Sequence, residues 1–289
     1  MSRIAYVNGR YVPHREAAVH VEDRGYQFAD GVYEVIAVVG GRLVDGAPHM
    51  TRLARSLSEL GMEMPMSAPA LAVVIGETLR RNRVSRGIVY LQVTRGAARR
   101  DHPFPARAEP SIVITARRAA PPAAATVETG VGVITAPDIR WGRCDIKSIS
   151  LLPNVLVKQQ AHQAGAYEAW QVDTAGMITE GGSTNAWIVV ADGTVVTRPE
   201  ANSILSGITR ARLLLLARAN DIKVEERPFS VAEAKAAREA FLTSTTAFVL
   251  PVVRIDDAAV GNGHPGSVTL RLRQLYEDFV AEVASARAA

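Results

Sequence analysis

Thiols are almost absent: Cys144 is the single cysteine of a 289-residue chain. That excludes an internal disulfide and a thiolate metal cluster, and no metal site of any kind is expected. Lysine is nearly as scarce, with Lys147, Lys158, Lys223 and Lys235 the four among 33 basic residues. Long apolar runs are missing too, so no segment is expected to span a membrane. The N-terminus enters a strand pattern at Ile4 without the apolar core of a signal peptide. With the lone thiol, these absences place the expectation in a reducing cytoplasm. Aromatic residues make up 6% of the chain and do not interleave with the short basic clusters Arg80-Arg81 and Arg99-Arg100. A net charge of +4 is mild, so no nucleic-acid partner is expected. No HExxH, Walker-type loop or GxGxxG stands in a fitting context.

What is present is an ordinary globular composition, 48% hydrophobic and 21% charged, in a chain long enough for two domains. Residues 4–12 read as a hairpin turned by Asn8-Gly9. A strand over 31–39 returns through Gly40-Gly41, and amphipathic helices follow over 48–60, closed by Gly61, and over 67–82, capped by Ser67. Strands over 87–94 and 111–116 flank a loop rich in Arg, His and Pro. Pro121-Pro122 among small residues marks a boundary, giving domains 1–118 and 126–289 joined by a linker at 119–125. The second half reads as strands over 126–135, a helix over 153–164, and strands over 167–172, 186–190 and 194–197. It continues with an apolar helix over 207–219, a strand over 222–226, a helix over 231–238, strands over 240–243 and 248–253, and a last helix over 268–284. Hairpins interspersed with helices argue for an α+β fold rather than a purely parallel sheet.

Chemistry concentrates on Lys147. Lys158, Lys223 and Lys235 sit in polar helix or strand contexts and read as solvated charges, whereas Lys147 lies among apolar and small residues. A free lysine is about 3.4 units below its pKa at neutral pH, so making it a nucleophile costs roughly 4.6 kcal/mol. A dry pocket or a Schiff base removes most of that cost; the plainer alternative is a lysine paired with Asp145. Two corners could receive a phosphate. One is the polar entry to the helix at Gly207, with Ile208 and Thr209; the other is Thr243-Ser244-Thr245-Thr246 after a strand. Each also reads as an ordinary cap or turn. Glu180, before Gly181-Gly182, is either a turn residue or a carboxylate that keeps a pyridine nitrogen protonated. Arg100 and His102 lie in a basic loop that is either solvated or a clamp for a carboxylate. His49 and Arg52, three apart, share a helix face, where they decorate the surface or Arg52 reaches a phosphate.

Taken in order, these stretches closely resemble the D-amino acid aminotransferases, which belong to fold type IV of the pyridoxal-phosphate enzymes. The likeness is carried by Arg24-Gly25-Tyr26-Gln27-Phe28-Ala29-Asp30-Gly31-Val32-Tyr33-Glu34 and by Gln92-Val93-Thr94-Arg95-Gly96 with Arg100 and His102. It continues through Asp138-Ile139-Arg140-Trp141 as far as Ser148, Thr179-Glu180-Gly181, Gly207-Ile208-Thr209-Arg210 and Thr243-Ser244-Thr245-Thr246. The resemblance implies a small N-terminal α/β domain and a larger C-terminal domain with a pseudo-barrel sheet. It implies pyridoxal 5′-phosphate bound as a Schiff base to Lys147, which also moves the substrate proton, and Glu180 on the pyridine nitrogen. Arg52, Ile208, Thr209 and Thr245 are then expected on the phosphate, with Ser244 beside them and Leu205 on one face of the ring. Tyr33, Arg100 and His102 are expected on the substrate carboxylate, the last two supplied by a neighbouring subunit of a homodimer. Amino acids and 2-oxo acids are the implied substrates, with D-alanine and 2-oxoglutarate foremost. The same scaffold also serves aminodeoxychorismate lyases and branched-chain or (R)-amine transaminases, and a non-catalytic anion binder is the rival outside enzymes. The loop after Glu180 departs from the family in carrying Gly182 where relatives often have serine.

Overall fold

Asn8 and Gly9 take left-handed backbone angles, φ 44° and 87°, and so turn β1 (Ile4–Val7) back onto β2 (Arg10–Pro13). The structure is a computed structural model that describes residues 3–285. By contact density the chain divides into two units. The first comprises Met1–Ala120 with Ile146–Ser150 and Glu282–Ala289, and the second Pro121–Asp145 with Leu151–Ala281.

The first unit continues with α1 (Arg24–Phe28), β3 (Gly31–Val39), β4 (Arg42–Leu43), α2 (Gly46–Glu59), α3 (Ala68–Asn82), β5 (Arg86–Thr94) and β6 (Ser111–Arg118). Its six strands run β2-β1-β6-β5-β3-β4, and every pairing is antiparallel. One face packs on α2 and α3, where Leu53, Leu57, Leu71 and Ile75 meet Ile36, Leu91 and Ile114 in one core. Ser67 caps α3, accepting from Ala70 N at 3.4 Å, as its position in the sequence predicts. β4 pairs β3 only at Val38 and Val39. The edge it leaves open at Gly31–Tyr33 is taken by a distant stretch: Tyr33 N donates to Lys147 O, and Ile149 N to Gly31 O, both at 3.0 Å. Val32 bridges Ser148 between them.

The second unit comprises α4 (Ala124–Thr129), β7 (Val131–Pro137), α5 (Leu152–Gln163), β8 (Glu168–Val172), β9 (Ile178–Gly181), β10 (Asn185–Val189), β11 (Val195–Thr197), α6 (Ile208–Ala219), β12 (Val224–Glu226), α7 (Val231–Lys235), β13 (Glu239–Ser244), β14 (Phe248–Ile255), β15 (Ala258–Ala259) and α8 (Ser267–Ser285). Eight strands follow the order β12-β11-β10-β13-β14-β7-β8-β9, with β15 on β14. Three of the pairings, β11·β12, β14·β7 and β7·β8, are parallel, so the sheet is mixed. It curls into a half barrel, β9 lying against β10. The fold is α+β, as expected.

Three local expectations fail. Residues 126–129 are helical rather than extended: an alanine run starts α4, the Thr129 hydroxyl bonds back to Ala125 O at 2.8 Å, and Gly130 at φ 71° ends it. α7 stops at Lys235, and the Arg238 amide is taken by Val189 O at 2.8 Å. β9 and the short helix α1 have no counterpart in the sequence reading.

Candidate active site

In the N-terminal unit the site is built on β3. Successive side chains of a strand point to opposite faces, so Tyr33 and Glu34 diverge. Glu34 is fully buried under α2, where Arg52 grips it with Nε and Nη2 (2.8 and 2.7 Å) and His49 Nδ1 lies 2.7 Å from it. His49 and Arg52 therefore share an inner face of α2, not a solvated one. Burial pushes the imidazole below its ordinary range, more than the Glu34 carboxylate raises it. The neutral ring then carries its hydrogen on Nδ1 and donates to Glu34.

Lys147 enters through the strip paired with β3, its amide donating to Ser56 Oγ at 3.3 Å. Its Nζ lies 4.2 Å from the centre of the Tyr33 ring, and Tyr90 stands beside that ring, centroids 5.7 Å apart. The Tyr90 phenol is pushed up to about 12 by burial and by Tyr33. The plainer alternative for Lys147 does not hold, because Asp145 is bonded by Arg143 at 2.9 and 3.0 Å. Arg100 and His102 are exposed and gather around Phe28, at 5.1 and 5.5 Å from its ring. Among the described residues no hydrogen bond or ring contact joins either to Tyr33 or Lys147 within one chain. Their loop is pinned by Arg24, which donates to Asp101 O at 2.6 Å and His102 O at 3.2 Å and pairs with Asp30.

In the C-terminal unit, Glu180 is no turn residue; it sits buried on β9. One carboxylate oxygen is bonded by Arg140, and the other accepts from Asn185 Nδ2 at 3.0 Å. Leu205 N donates to the same carboxylate at 3.1 Å, and Asn185 Nδ2 also reaches Leu205 O at 3.1 Å. Sequence reasoning gave Arg140 and Asn185 no role. Arg140 stands inside one of the motifs and Asn185 five residues past Glu180, but nothing in the sequence showed that either would bond that carboxylate.

Asn185 leads to the next feature. A Cβ on Gly207 would stand 2.0 Å from Asn185 Oδ1, so any larger residue where α6 begins would displace that side chain. Gly207 is the N-cap and offers no side-chain acceptor to the helix. The first amides of α6, with the buried Thr209 beside them, form the positive end of the helix and suit an anion. Ser244 ends β13, its hydroxyl accepting from Ala247 N at 3.1 Å, and Thr245 follows in the turn to β14. Trp187 is core, 1% exposed and stacked on Phe241.

The Gly182 departure has a physical reason. A Cβ there would lie 3.1 Å from Glu168 Oε1 and from the Lys158 stem. Glu168 is fully buried, pairs with Lys158 at 3.2 Å and holds Ser183 through its amide and hydroxyl at 3.2 and 3.0 Å. Lys158 is therefore a clamp on a buried carboxylate rather than a solvated charge. Nearby, Thr184 Oγ1 and Gln171 Oε1 are buried without a hydrogen-bond partner.

The first unit offers an amine on a short strip, and the second a buried carboxylate fixed by donors, a helix start and orphaned polar atoms near Glu180. Taken unit by unit, these suit the carbonyl of an aromatic aldehyde phosphate in the one and its ring nitrogen and phosphate in the other. Among the described residues no helix is long and apolar enough to cross a membrane, and no cluster could hold a metal.

Residues 31–255 match the family model of amino-transferase class IV. A D-alanine aminotransferase from Bacillus licheniformis is 40% identical over 273 residues, 94% of this chain and 95% of that protein. One from Staphylococcus epidermidis is 38% identical, covering 95% and 97%. Among solved structures, a T.th. branched-chain amino acid aminotransferase, determined with pyridoxamine 5′-phosphate, superposes with a TM-score of 0.88 at 28% identity, covering 99% of this chain and 96% of that one. The Escherichia coli branched-chain enzyme gives 0.87 at 26%, covering 95% and 93%.

Proposed function

The chain belongs to the class IV aminotransferases, and from that premise we propose that it transfers an amino group from a D-amino acid, D-alanine foremost, to a 2-oxo acid such as 2-oxoglutarate, with pyridoxal 5′-phosphate as cofactor. The observation that carries this reading is the nearly full-length likeness to D-alanine aminotransferases. When bound, the cofactor supplies a carbonyl that takes up the amino group and a ring that draws electrons from the substrate Cα.

The residues divide the work. Lys147 anchors the cofactor and takes the Cα proton and returns it at the neighbouring carbon. The Tyr33 ring at 4.2 Å supports Lys147 on its strip. Glu180 would hold the ring nitrogen of the bound cofactor, and Leu205 would pack on one face of the ring. The phosphate falls to the Ile208 and Thr209 amides, the Thr209 hydroxyl, Thr245 and Arg52, with Ser244 adjacent. Arg52 already donates from Nε and Nη2 to Glu34, so its share is its charge. Tyr33, Arg100 and His102 receive the substrate carboxylate.

Arg100 and His102 gather at Phe28 of their own chain, which supports a partner subunit as the recipient of that loop. We accordingly infer a homodimer, and a cytoplasmic one, with residues 1–118 as a small domain and 126–289 as the cofactor domain.

A half-reaction survey tests the function. Holoenzyme mixed with D- and L-enantiomers of alanine, glutamate and valine, and separately with aminodeoxychorismate, should lose the absorbance of its bound cofactor fastest with D-alanine. Faster loss with L-valine or with aminodeoxychorismate would overturn the substrate assignment. Borohydride treatment followed by peptide mass mapping should leave the cofactor on Lys147 and on no other lysine.

A further inference from the structure

Arg140 follows β7 in a short loop, and its side chain is only 5% exposed. It forks onto Asp138, Nε to Oδ1 at 2.9 Å and Nη2 to Oδ2 at 2.7 Å. Nη2 also donates to Thr179 Oγ1 at 3.2 Å and to Ser203 O at 3.0 Å. The remaining arm, Nη1, bonds Glu180. The Thr179 hydroxyl in turn lies 2.7 Å from Asp138 Oδ2. A flexible cation is thereby locked in one plane by a carboxylate, a carbonyl and a hydroxyl, and it turns Nη1 to the carboxylate on the next residue of β9.

That arrangement bears on where a proton rests. Glu180 is bonded by Arg140 on one oxygen, by Asn185 on the other, and by the Leu205 amide. All three are donors, and all favour the charged carboxylate. Burial raises the Asp138 carboxyl, but the Arg140 bonds and charge outweigh it and leave it below the usual range. A carboxylate held as Glu180 is held is a weak base, so a proton lying between it and a ring nitrogen stays on the nitrogen. Without the guanidinium, a buried anion would lose its nearest cation and compete for that proton.

We propose that Arg140 is a positioning residue that keeps Glu180 ionised and thereby fixes the shared proton on the ring nitrogen of the cofactor. The inference rests on the reading of Glu180 as the partner of that nitrogen.

The test uses holoenzyme loaded with pyridoxal phosphate labelled with ¹⁵N in the ring, whose chemical shift separates a protonated from a neutral nitrogen. Arg140→Gln should move the signal toward the neutral position. It should also lower kcat by about 10- to 100-fold, the effect of one lost charge-assisted bond, with KM little changed. Arg140→Lys keeps the charge but not the fork and should fall between; it serves also if Arg140→Gln does not fold, which melting of the apoprotein will reveal. A signal that stays at the protonated position in both variants, or in Arg140→Lys alone where Arg140→Gln is unfolded, overturns the inference. Glu180→Gln separates the two readings. Should it leave the signal where the wild type has it, the assignment of Glu180 fails, and this inference with it. Should Glu180→Gln move the signal while the Arg140 variants do not, the role of Arg140 alone is refuted.

Discussion

Glu34 has no exposed surface, yet its carboxyl is held at about 2 against an ordinary 4.5. Burial acts to raise it, and the Arg52 and His49 hydrogen bonds, with the Arg52 and Lys147 charges, pull it down. A folded value below the unfolded one stabilises the fold fully above pH 4.5 and progressively less as pH falls toward 2. His49, depressed by burial, acts in the same direction once pH drops below 6.5. Acid should therefore withdraw about 3 kcal/mol through Glu34 alone. Urea denaturation at a series of pH values should show that slope in the wild type and lose it in Glu34→Gln, which at pH 7 should be destabilised by about 3–5 kcal/mol because Arg52 is left buried without its partner. Lys147 differs in kind. Its links to β3 and Ser56 run through the backbone, so Lys147→Ala should keep its melting temperature while kcat falls by at least about 1000-fold. A variant with normal turnover would remove the nucleophile from the scheme.

At the scale of single elements, the helices α2, α3 and α6 were legible because apolar periodicity and caps such as Ser67 and Gly207 are local signals. β9 was not. All four residues of Ile178–Gly181 are buried, so they lack the alternation that marks a strand with one face in water. Glu180 read as a turn residue because Arg140, which with Asn185 makes its burial tolerable, lies 40 residues away in sequence. The candidate residues were proposed from motif order, whereas the donors that hold Glu180 were assigned no part. Two glycine substitutions test how these elements are seated. Gly207→Ala puts a methyl 2.0 Å from Asn185 Oδ1, which must move, so cofactor affinity measured by equilibrium dialysis should fall about 10-fold or more, as expected for one displaced bond. Gly182→Ser crowds Lys158 and Glu168 and should cost about 1–3 kcal/mol in chemical denaturation. Lys158→Ala in the same chain should recover part of that loss if crowding is the cause.

For the whole molecule, the exposed apolar residues of α5 are informative. Leu152, Val155 and Leu156 are 69%, 58% and 48% exposed within one turn and a half, a patch that supports the proposed homodimer. Val155→Asp with Leu156→Asp should convert the dimer to monomer in light scattering and, with Arg100 and His102 removed from their recipient, depress D-alanine turnover. A wild-type protein that elutes as a monomer would end the proposal. The strip that seats Lys147 has one more consequence, for biosynthesis. A growing chain that has finished its first sheet still exposes unpaired amide and carbonyl groups along the start of β3, because the residues that pair with them are made later. Premature release after β6 would therefore leave a sticky edge open to other chains. The arrival of Lys147 and the sealing of that edge are one event, so a truncated product lacks the proposed nucleophile and is prone to aggregate.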